Sequence, residues 1–330
     1  MLENIFRKTI KEYKLIEKRD RIILGVSGGP DSVSMLYQFL GIKKELKLHL
    51  VCAHFNHGLR KEADAEELFI KRLCVEVGIS CISEKKEVEK FFAGDSLEQT
   101  ARNLRFDFFL KCSRQTKIKK LSLAHHKDDL AETVLIRLVR GAGLRGLQGF
   151  SPKSKFASLT LIRPMIEMRK SEIIEWLKEK KVSYCLDASN FEDKFLRNRI
   201  RHKLLPLLME LNPNIIETLS NAARALSLDY DFIYSFSYEK FLSLKRGQSP
   251  NGLRLDMKGL KELPLSIFNN VIRIAIEELQ GNIRKLEARH LDELRDLAIY
   301  RPEGSIVDLP NLLVKKEEKS LFIQSAPNRL

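Results

Sequence analysis

The feature that most constrains this chain is a short apolar run, Ile22-Ile23-Leu24-Gly25-Val26, which stops at Ser27-Gly28-Gly29-Pro30-Asp31-Ser32 and resumes at helical spacing over residues 33–40. A buried-type strand, a tight glycine turn and a helix, in that order, open a βαβ unit. The pattern recurs downstream. Runs at 46–53, 79–83 and 120–124 read as strands, and 63–77, 97–112 and 128–140 as helices, with Gly78 and Gly141 as stops. Strands alternating with helices of about a dozen residues imply a parallel sheet covered on both faces, a doubly wound α/β domain.

Past Pro164 the spacing changes: a helix at 170–180, an arginine cluster, then a long helical pattern from 215. After residue 251 come helical periodicity, a helix at 286–298 and strand-like pieces at 305–309, 312–315 and 321–324. The expected organisation is an α/β domain at 1–205, a helical linker at 206–245 and a small α+β domain at 246–330.

Charge narrows the partners. Of the net +14, residues 1–210 hold 41 Lys/Arg against 28 Asp/Glu, whereas 211–330 hold 17 against 16. Residues 111–155 alone carry 11 basic side chains against Asp128, Asp129 and Glu132, a surface that would attract a polyanion or simply be well solvated. Apolar runs fall short of the about 18–20 residues that span a bilayer, and the N-terminus lacks a secretory pattern. Five cysteines without a CxxC argue against both a disulfide framework and a compact thiolate metal site. These readings point to a cytoplasmic protein with no membrane association.

The turn at 27–32 lies where a doubly wound sheet binds ligands, at the carboxyl end of a strand. Gly28 and Gly29 allow successive N–H groups to face one anion, and the following helix adds its positive end, so the turn reads as a phosphate cradle. It lacks the lysine of a Walker loop and the GxGxxG spacing of a dinucleotide fold. A second cluster, Ala124-His125-His126-Lys127-Asp128-Asp129-Leu130-Ala131-Glu132-Thr133, follows the fourth strand. Asp129 and Glu132, three residues apart, share a helix face and can hold Mg²⁺ beside phosphates or a substrate ammonium, or merely stabilise their own helix dipole. The paired histidines could ligate zinc, although no third His or Cys sits nearby. His54-Phe55-Asn56-His57-Gly58-Leu59-Arg60 ends the second strand, where an adenine-side or phosphate-side contact would lie, or is an exposed HxxH turn; Arg102 and Arg105, on one helix face, could meet a transferring phosphate or simply be solvated. Arg197, Asn198, Arg199 and Arg201 read as a nucleic-acid phosphate clamp or as a plain basic surface.

Taken together, SGGPDS, HFNHGLR, ARNLR, AHHKDDLAET with its trailing RGAGLRGL, and DASN followed by RNRIR resemble the tRNA(Ile)-lysidine synthetases, PP-loop ATP pyrophosphatases, over about residues 21–206. The resemblance implies a ligase that uses ATP and Mg²⁺ to join L-lysine to C2 of the wobble cytidine in the CAU anticodon of isoleucine tRNA, through an adenylated tRNA. It implies that Ser27, Gly28, Gly29, Pro30, Asp31, Ser32 and His57 bind the nucleotide, with Asp31 on the metal side. Arg105 and His125 would stabilise the α-phosphoryl, Asp129 and Glu132 would handle lysine, and Arg197 and Arg201 would face the tRNA. A homodimer is left open. Two departures stand out: Leu130 replaces the glutamine many members carry after the Asp pair, and the end at residue 330 suggests a shorter form with one accessory domain, gripping the RNA by shape and a few arginines (Arg284, Arg289, Arg295). A tRNA thiolase would need reactive cysteines, a GMP synthetase a glutaminase domain, and a decayed RNA-binding module would have no use for Asp31, Asp129 and Glu132.

Overall fold

The computed structural model describes residues 1–58, 63–91, 97–185, 196–249, 252–283 and 286–325. Leu59, Arg60, the 187–190 segment and Arg284 therefore lie outside the described residues. Two compact units divide the chain, Met1–Leu226 and Ser227–Leu330.

In the first unit, β1 (Arg21–Gly25), β2 (His49–Asn56), β3 (Ser80–Lys85), β4 (Lys120–Ser122), β5 (Lys153–Phe156) and β6 (Leu159–Ile162) form one sheet in the order β3-β2-β1-β4-β6-β5. All neighbours are parallel except β5 and β6, which form a hairpin. The helices are α1 (Leu2–Glu12), α2 (Pro30–Leu46), α3 (Ala63–Glu76), α4 (Leu97–Thr116), α5 (Lys127–Val139), α6 (Leu144–Leu147), α7 (Lys170–Glu179), α8 (Leu196–Arg199) and α9 (Leu205–Leu211). α10 (Ile215–Leu244) runs across the division at 226/227. Two apolar layers seal the sheet. One gathers Phe6, Leu24, Phe39, Ile70 and Trp176; the other gathers Ile23, Val51, Phe106, Phe108 and Leu121. This is the doubly wound architecture expected from the spacing.

Strand order positions the site. β1 pairs with β2 on one side and β4 on the other, so the strand order reverses at β1, the switch point where a doubly wound sheet opens a crevice at the carboxyl ends of its strands. The turn at 27–32 and the 123–126 segment border that crevice. The apolar run at 46–53 proves to be shared between two elements: Leu46 ends α2, Lys47 adopts a left-handed φ of 52°, and β2 begins at His49. The spacing also argued against a thiolate cluster, yet β2, α3 and β3 bring the sulfurs of Cys52, Cys74 and Cys81 within 4.8 Å of one another. Register explains it, because Cys52 sits directly opposite Cys81 on parallel strands. Cys52 and Cys74 belong to the same apolar layer as Ile70 and Leu73 and pack there as small apolar groups with weak donors.

The second unit carries β7 (Lys245–Ser249), β8 (Gly252–Asp256), β9 (Ile306–Leu309), β10 (Leu312–Lys316) and β11 (Ser320–Ser325) in an antiparallel sheet of order β7-β8-β11-β10-β9. α11 (Met257–Lys261), α12 (Leu265–Gln280) and α13 (Ala288–Ile299) contribute Leu260, Phe268, Val271 and Leu294 to its core. Gly281, at φ 73°, ends α12 with the left-handed residue that only glycine adopts cheaply. α12, α13 and the last three strands are legible as periodicity; α11, β7 and β8, each only five residues long, are not. Among the described residues no helix is long and apolar enough to cross a membrane.

Leu130 faces the core of the first unit, beside Val134, Ile166 and Ala223. Gly149, at φ 70°, lies so close that a Cβ there would meet Leu130 Cδ1 at 2.3 Å. Gly149→Ala is expected to cost about 1–3 kcal/mol, from the left-handed backbone and from displacing Leu130. Denaturant unfolding of the two proteins measures it; equal midpoints and slopes would disprove the constraint.

Candidate active site

A cavity of about 1470 Å³ opens at the carboxyl edge of β1, β2 and β4. Its floor is the glycine turn. Gly28 has φ 99°, and the backbone N–H groups of Ser27 and Gly28 both donate to Ser32 Oγ, at 3.1 and 3.2 Å. The hydroxyl in turn donates to the Gly29 carbonyl at 2.9 Å. The donors thus converge on one oxygen, and Pro30 opens α2 at a position where its missing N–H costs nothing, so the helix points its positive end at the same place. Asp31, in the first turn, is gripped by Lys170 Nζ at 2.6 and 2.7 Å. Lys170 begins α7, and its own N–H donates to Asp128 Oδ2 at 2.8 Å, which ties the α7 N-terminus to α5.

α5 brings the second cluster. His126 caps it: the Asp129 N–H donates to His126 Nδ1 at 3.4 Å, while the His126 N–H donates back to Asp129 Oδ2 at 3.1 Å. Burial alone would lower the His126 pKa, but Asp129, Asp128 and Asp31 around the ring hold it above its ordinary value. For Asp129 the balance is reversed. Burial acts to raise its pKa, yet His126 and Arg197, with the His126 N–H donating to it, outweigh burial and hold the carboxyl well below the usual range. Asp129 is therefore ionised at neutral pH.

Arg197, from α8, donates through Nε to Glu132 at 2.7 Å and through Nη2 to Asp129 at 2.8 Å. Arg201, in the π-type turn Ile200–Leu204 that follows, donates to both Glu132 oxygens at 2.6 and 3.0 Å. Glu132 is 2% exposed, whereas each guanidinium side chain remains about a third exposed at 32% and 33%. The arginines read from sequence as facing RNA thus also neutralise the two carboxylates, a connection invisible in the spacing because 65 residues separate Glu132 from Arg197.

Arg105, on α4, lines the same cavity and leaves its buried Nε without a hydrogen-bond partner. Burial first, and then the guanidiniums of Arg102 and Arg197, push its pKa down to about 10, so it stays cationic at neutral pH and is poised for an anion. His125 lines the same cavity, and burial, with Arg163, Arg197 and Arg105 around it, lowers its pKa to about 3 despite Asp129. It is neutral. His57 also borders the cavity, with its ring edge-on to Phe55 at 4.8 Å. The sequence reading missed Lys170 and Arg163. Both follow β6 at the edge where a doubly wound sheet carries its ligand groups, and Arg163 comes immediately after the strand, so recognising that strand would have supplied the signal. β6 itself, only four residues long, had not been read.

The arrangement offers, in one cavity, donors and cations for a phosphate chain together with a pair of arginine-bound carboxylates. The PP-loop domain family model matches residues 2–208, and the TilS substrate binding domain model matches residues 255–322. The chain is 30% identical to the tRNA(Ile)-lysidine synthase of Clostridioides difficile over 320 residues, covering 96% of this chain and 69% of that protein. It is 32% identical to the tRNA(Ile)-lysidine synthase of Caldanaerobacter subterraneus over 332 residues, covering 96% and 70%. Among solved structures, the U34-tRNA thiolase NcsA from Methanococcus maripaludis, with its [4Fe-4S] cluster, superposes with a TM-score of 0.57 at 17% identity, over 68% of this chain and 78% of that one, a likeness of fold.

Arg201→Met removes two hydrogen bonds from buried Glu132, and a charged hydrogen bond is worth about 1.5–3 kcal/mol. With the guanidinium a third exposed, a loss of about 2 kcal/mol is expected, and adding Glu132→Gln should recover part of it. Urea melts of the two single variants and the double variant test this; strict additivity would refute the pairing.

Proposed function

The chain belongs to the tRNA(Ile)-lysidine synthase family, and from that premise we propose how its residues divide the work of an ATP-dependent ligase that forms a carbon–nitrogen bond on isoleucine tRNA. The observation that carries the division is the pairing, across one cavity, of a buried guanidinium with an open Nε and two ionisable carboxylates on one helical face. The first group fits an activated phosphate and the second fits an amine.

In the first half-reaction O2 of the wobble cytidine attacks the α-phosphorus of ATP, the bond to the bridging oxygen breaks, and pyrophosphate leaves into the turn at 27–32. The convergent N–H groups of Ser27 and Gly28 and the α2 N-terminus hold that anion, with Ser32 Oγ giving up its place to a phosphate oxygen. Arg105 and His125 face the α-phosphoryl as cation and neutral donor, and His57 borders the nucleotide. Asp31 would hold Mg²⁺, which would supply charge neutralisation for the phosphates. Asp31 fits that part: it is a carboxylate at the mouth of the phosphate turn, and Lys170 already shows it binding a cation there.

In the second half-reaction the neutral amine of L-lysine attacks C2 of the activated ring and AMP leaves. Asp129 and Glu132 orient the lysine through its α-amino end or accept a proton from the attacking amine. Arg197 and Arg201, partly exposed beside them, meet the RNA backbone.

The direct test is incubation of the protein with ATP, Mg²⁺, labelled lysine and unmodified isoleucine tRNA, with label expected in the RNA. Failure of lysine to enter RNA while pyrophosphate is released would sink the lysine assignment. Asp31→Ala should lower pyrophosphate release by about a hundredfold or more while leaving tRNA affinity nearly intact. Loss of tRNA binding with normal turnover would contradict the Asp31 role. For the wild type, tRNA affinity should fall more than about tenfold between roughly 50 and 200 mM salt, as phosphate contacts release counterions; a flat response would count against RNA contacts by the basic 111–155 surface.

A further inference from the structure

We propose that Arg163 is a positioning residue that locks His125 in the tautomer protonated on Nε2, so that His125 meets the α-phosphoryl as a neutral hydrogen-bond donor and never as a base or an imidazolium. The proposal rests on the reading of His125 given above, and its test separates the two.

Arg163 is 6% exposed and does not line the cavity. Its guanidinium is fixed on three sides. Nη1 donates to the Ser151 carbonyl at 2.7 Å and to Ser154 Oγ at 3.0 Å, and the Phe150 ring lies 5.2 Å beneath the guanidinium carbon. That leaves Nε aimed at His125, where it donates to Nδ1 at 3.2 Å. The same Phe150 ring lies 5.0 Å from the His125 ring, so one aromatic side chain packs against both partners.

The proton placement follows from donor and acceptor capacity alone. A guanidinium has five N–H donors and no acceptor. Facing it, His125 Nδ1 must present a lone pair, because an Nδ1–H would set two donors against each other. A neutral imidazole carries one proton, so that proton sits on Nε2, the nitrogen left for a ligand in the cavity. The doubly protonated ring is disfavoured for the same reason, and the surrounding cations, together with burial, push in that direction. The groups facing the ring are Arg163, Arg105 and Arg197 as cations and Asp129 as the anion. A neutral donor suits the chemistry: charge accumulates on the non-bridging α-phosphoryl oxygens, and an Nε2–H stabilises it without a proton being abstracted from anything.

Nitrogen-15 NMR of histidine-labelled wild-type protein reads the tautomer directly, with His125 assigned by its disappearance in His125→Phe. The expected spectrum shows an unprotonated Nδ1 and a protonated Nε2 at neutral pH. In Arg163→Gln the two nitrogens should shift toward each other as the tautomers mix. The kcat for pyrophosphate release should fall about 10–100-fold, the range for losing a group that orients a functional histidine, with KM for ATP within about twofold. Arg163→Lys, which keeps a cationic donor, should recover part of the loss. Among His125 variants, Gln places an amide N–H near the Nε2 position and should outperform Asn and Phe. A proton on Nδ1 in the wild type, or His125 resonances unchanged in Arg163→Gln, would overturn the proposal even if the variant were poorly active. Full activity of His125→Phe with the expected tautomer would instead overturn the assignment of His125 to the α-phosphoryl, while the proton placement stood.

Discussion

Glu132 is 2% exposed, and a carboxylate at that depth is tolerable only because Arg197 and Arg201 meet it from a segment more than sixty residues further along the chain. An unpaired carboxylate there would lose its hydration and either become protonated or force the helix outward. The ion pairs therefore do two things at once. They hold α8 and the π-type turn against α5, and they compensate Asp129 and Glu132 on a helix whose first turn also carries Asp128. A π-type turn is rare in a helical segment and frequent at functional sites, and here it lies where Arg201 has to reach the same carboxylate as Arg197 four residues earlier.

The sign of charge is sorted across the cavity by the same economy. Lys170 neutralises Asp31, and His126 sits among Asp31, Asp128 and Asp129. His125, one residue away, is surrounded mainly by guanidiniums and stays neutral. Two adjacent histidines thus take opposite protonation tendencies because successive residues at the end of β4 face different neighbours: one caps α5 among acids, the other turns toward Arg163 and Phe150. That division assigns the electrophilic side of the cavity to Arg105 and His125 and the nucleophile's side to Asp129 and Glu132.

Much of this was legible before any coordinates, and the limits are physical. The turn at 27–32 and the face shared by Asp129 and Glu132 are local, set by glycine freedom and by the 3.6-residue period, so sequence spacing reveals them. The doubly wound sheet follows from alternation of elements. What spacing cannot show is who meets whom across the fold. Nothing at Arg197 says that its partner is Glu132 rather than a phosphate. Nothing at Arg163 says that it orients His125, 38 residues earlier. The cysteine cluster escaped for the same reason, since the register of β2 on β3 places Cys52 opposite Cys81.

Leu130 shows how position on a helix decides whether a departure matters. It lies between Asp129 and Glu132 in sequence, but its side chain turns to the opposite side of α5, into the cluster with Val134, Ile166 and Ala223, and it does not border the cavity. An apolar residue there is what the packing requires. It packs so close to Gly149 that a Cβ there would collide with it, and the Gly149 carbonyl, like that of Gly146, accepts from Arg137 on α5 at 2.5 Å. Directly after Gly149 come Phe150, Ser151 and Ser154, the groups that clamp Arg163. The apolar face of α5 and Arg137 therefore seat the segment that aims Arg163 at His125, while the polar face of the same helix carries the carboxylates. One helix thus sets the spacing between the phosphate side and the amine side of the site, and a substitution that shifted α5 on its bed would move both together.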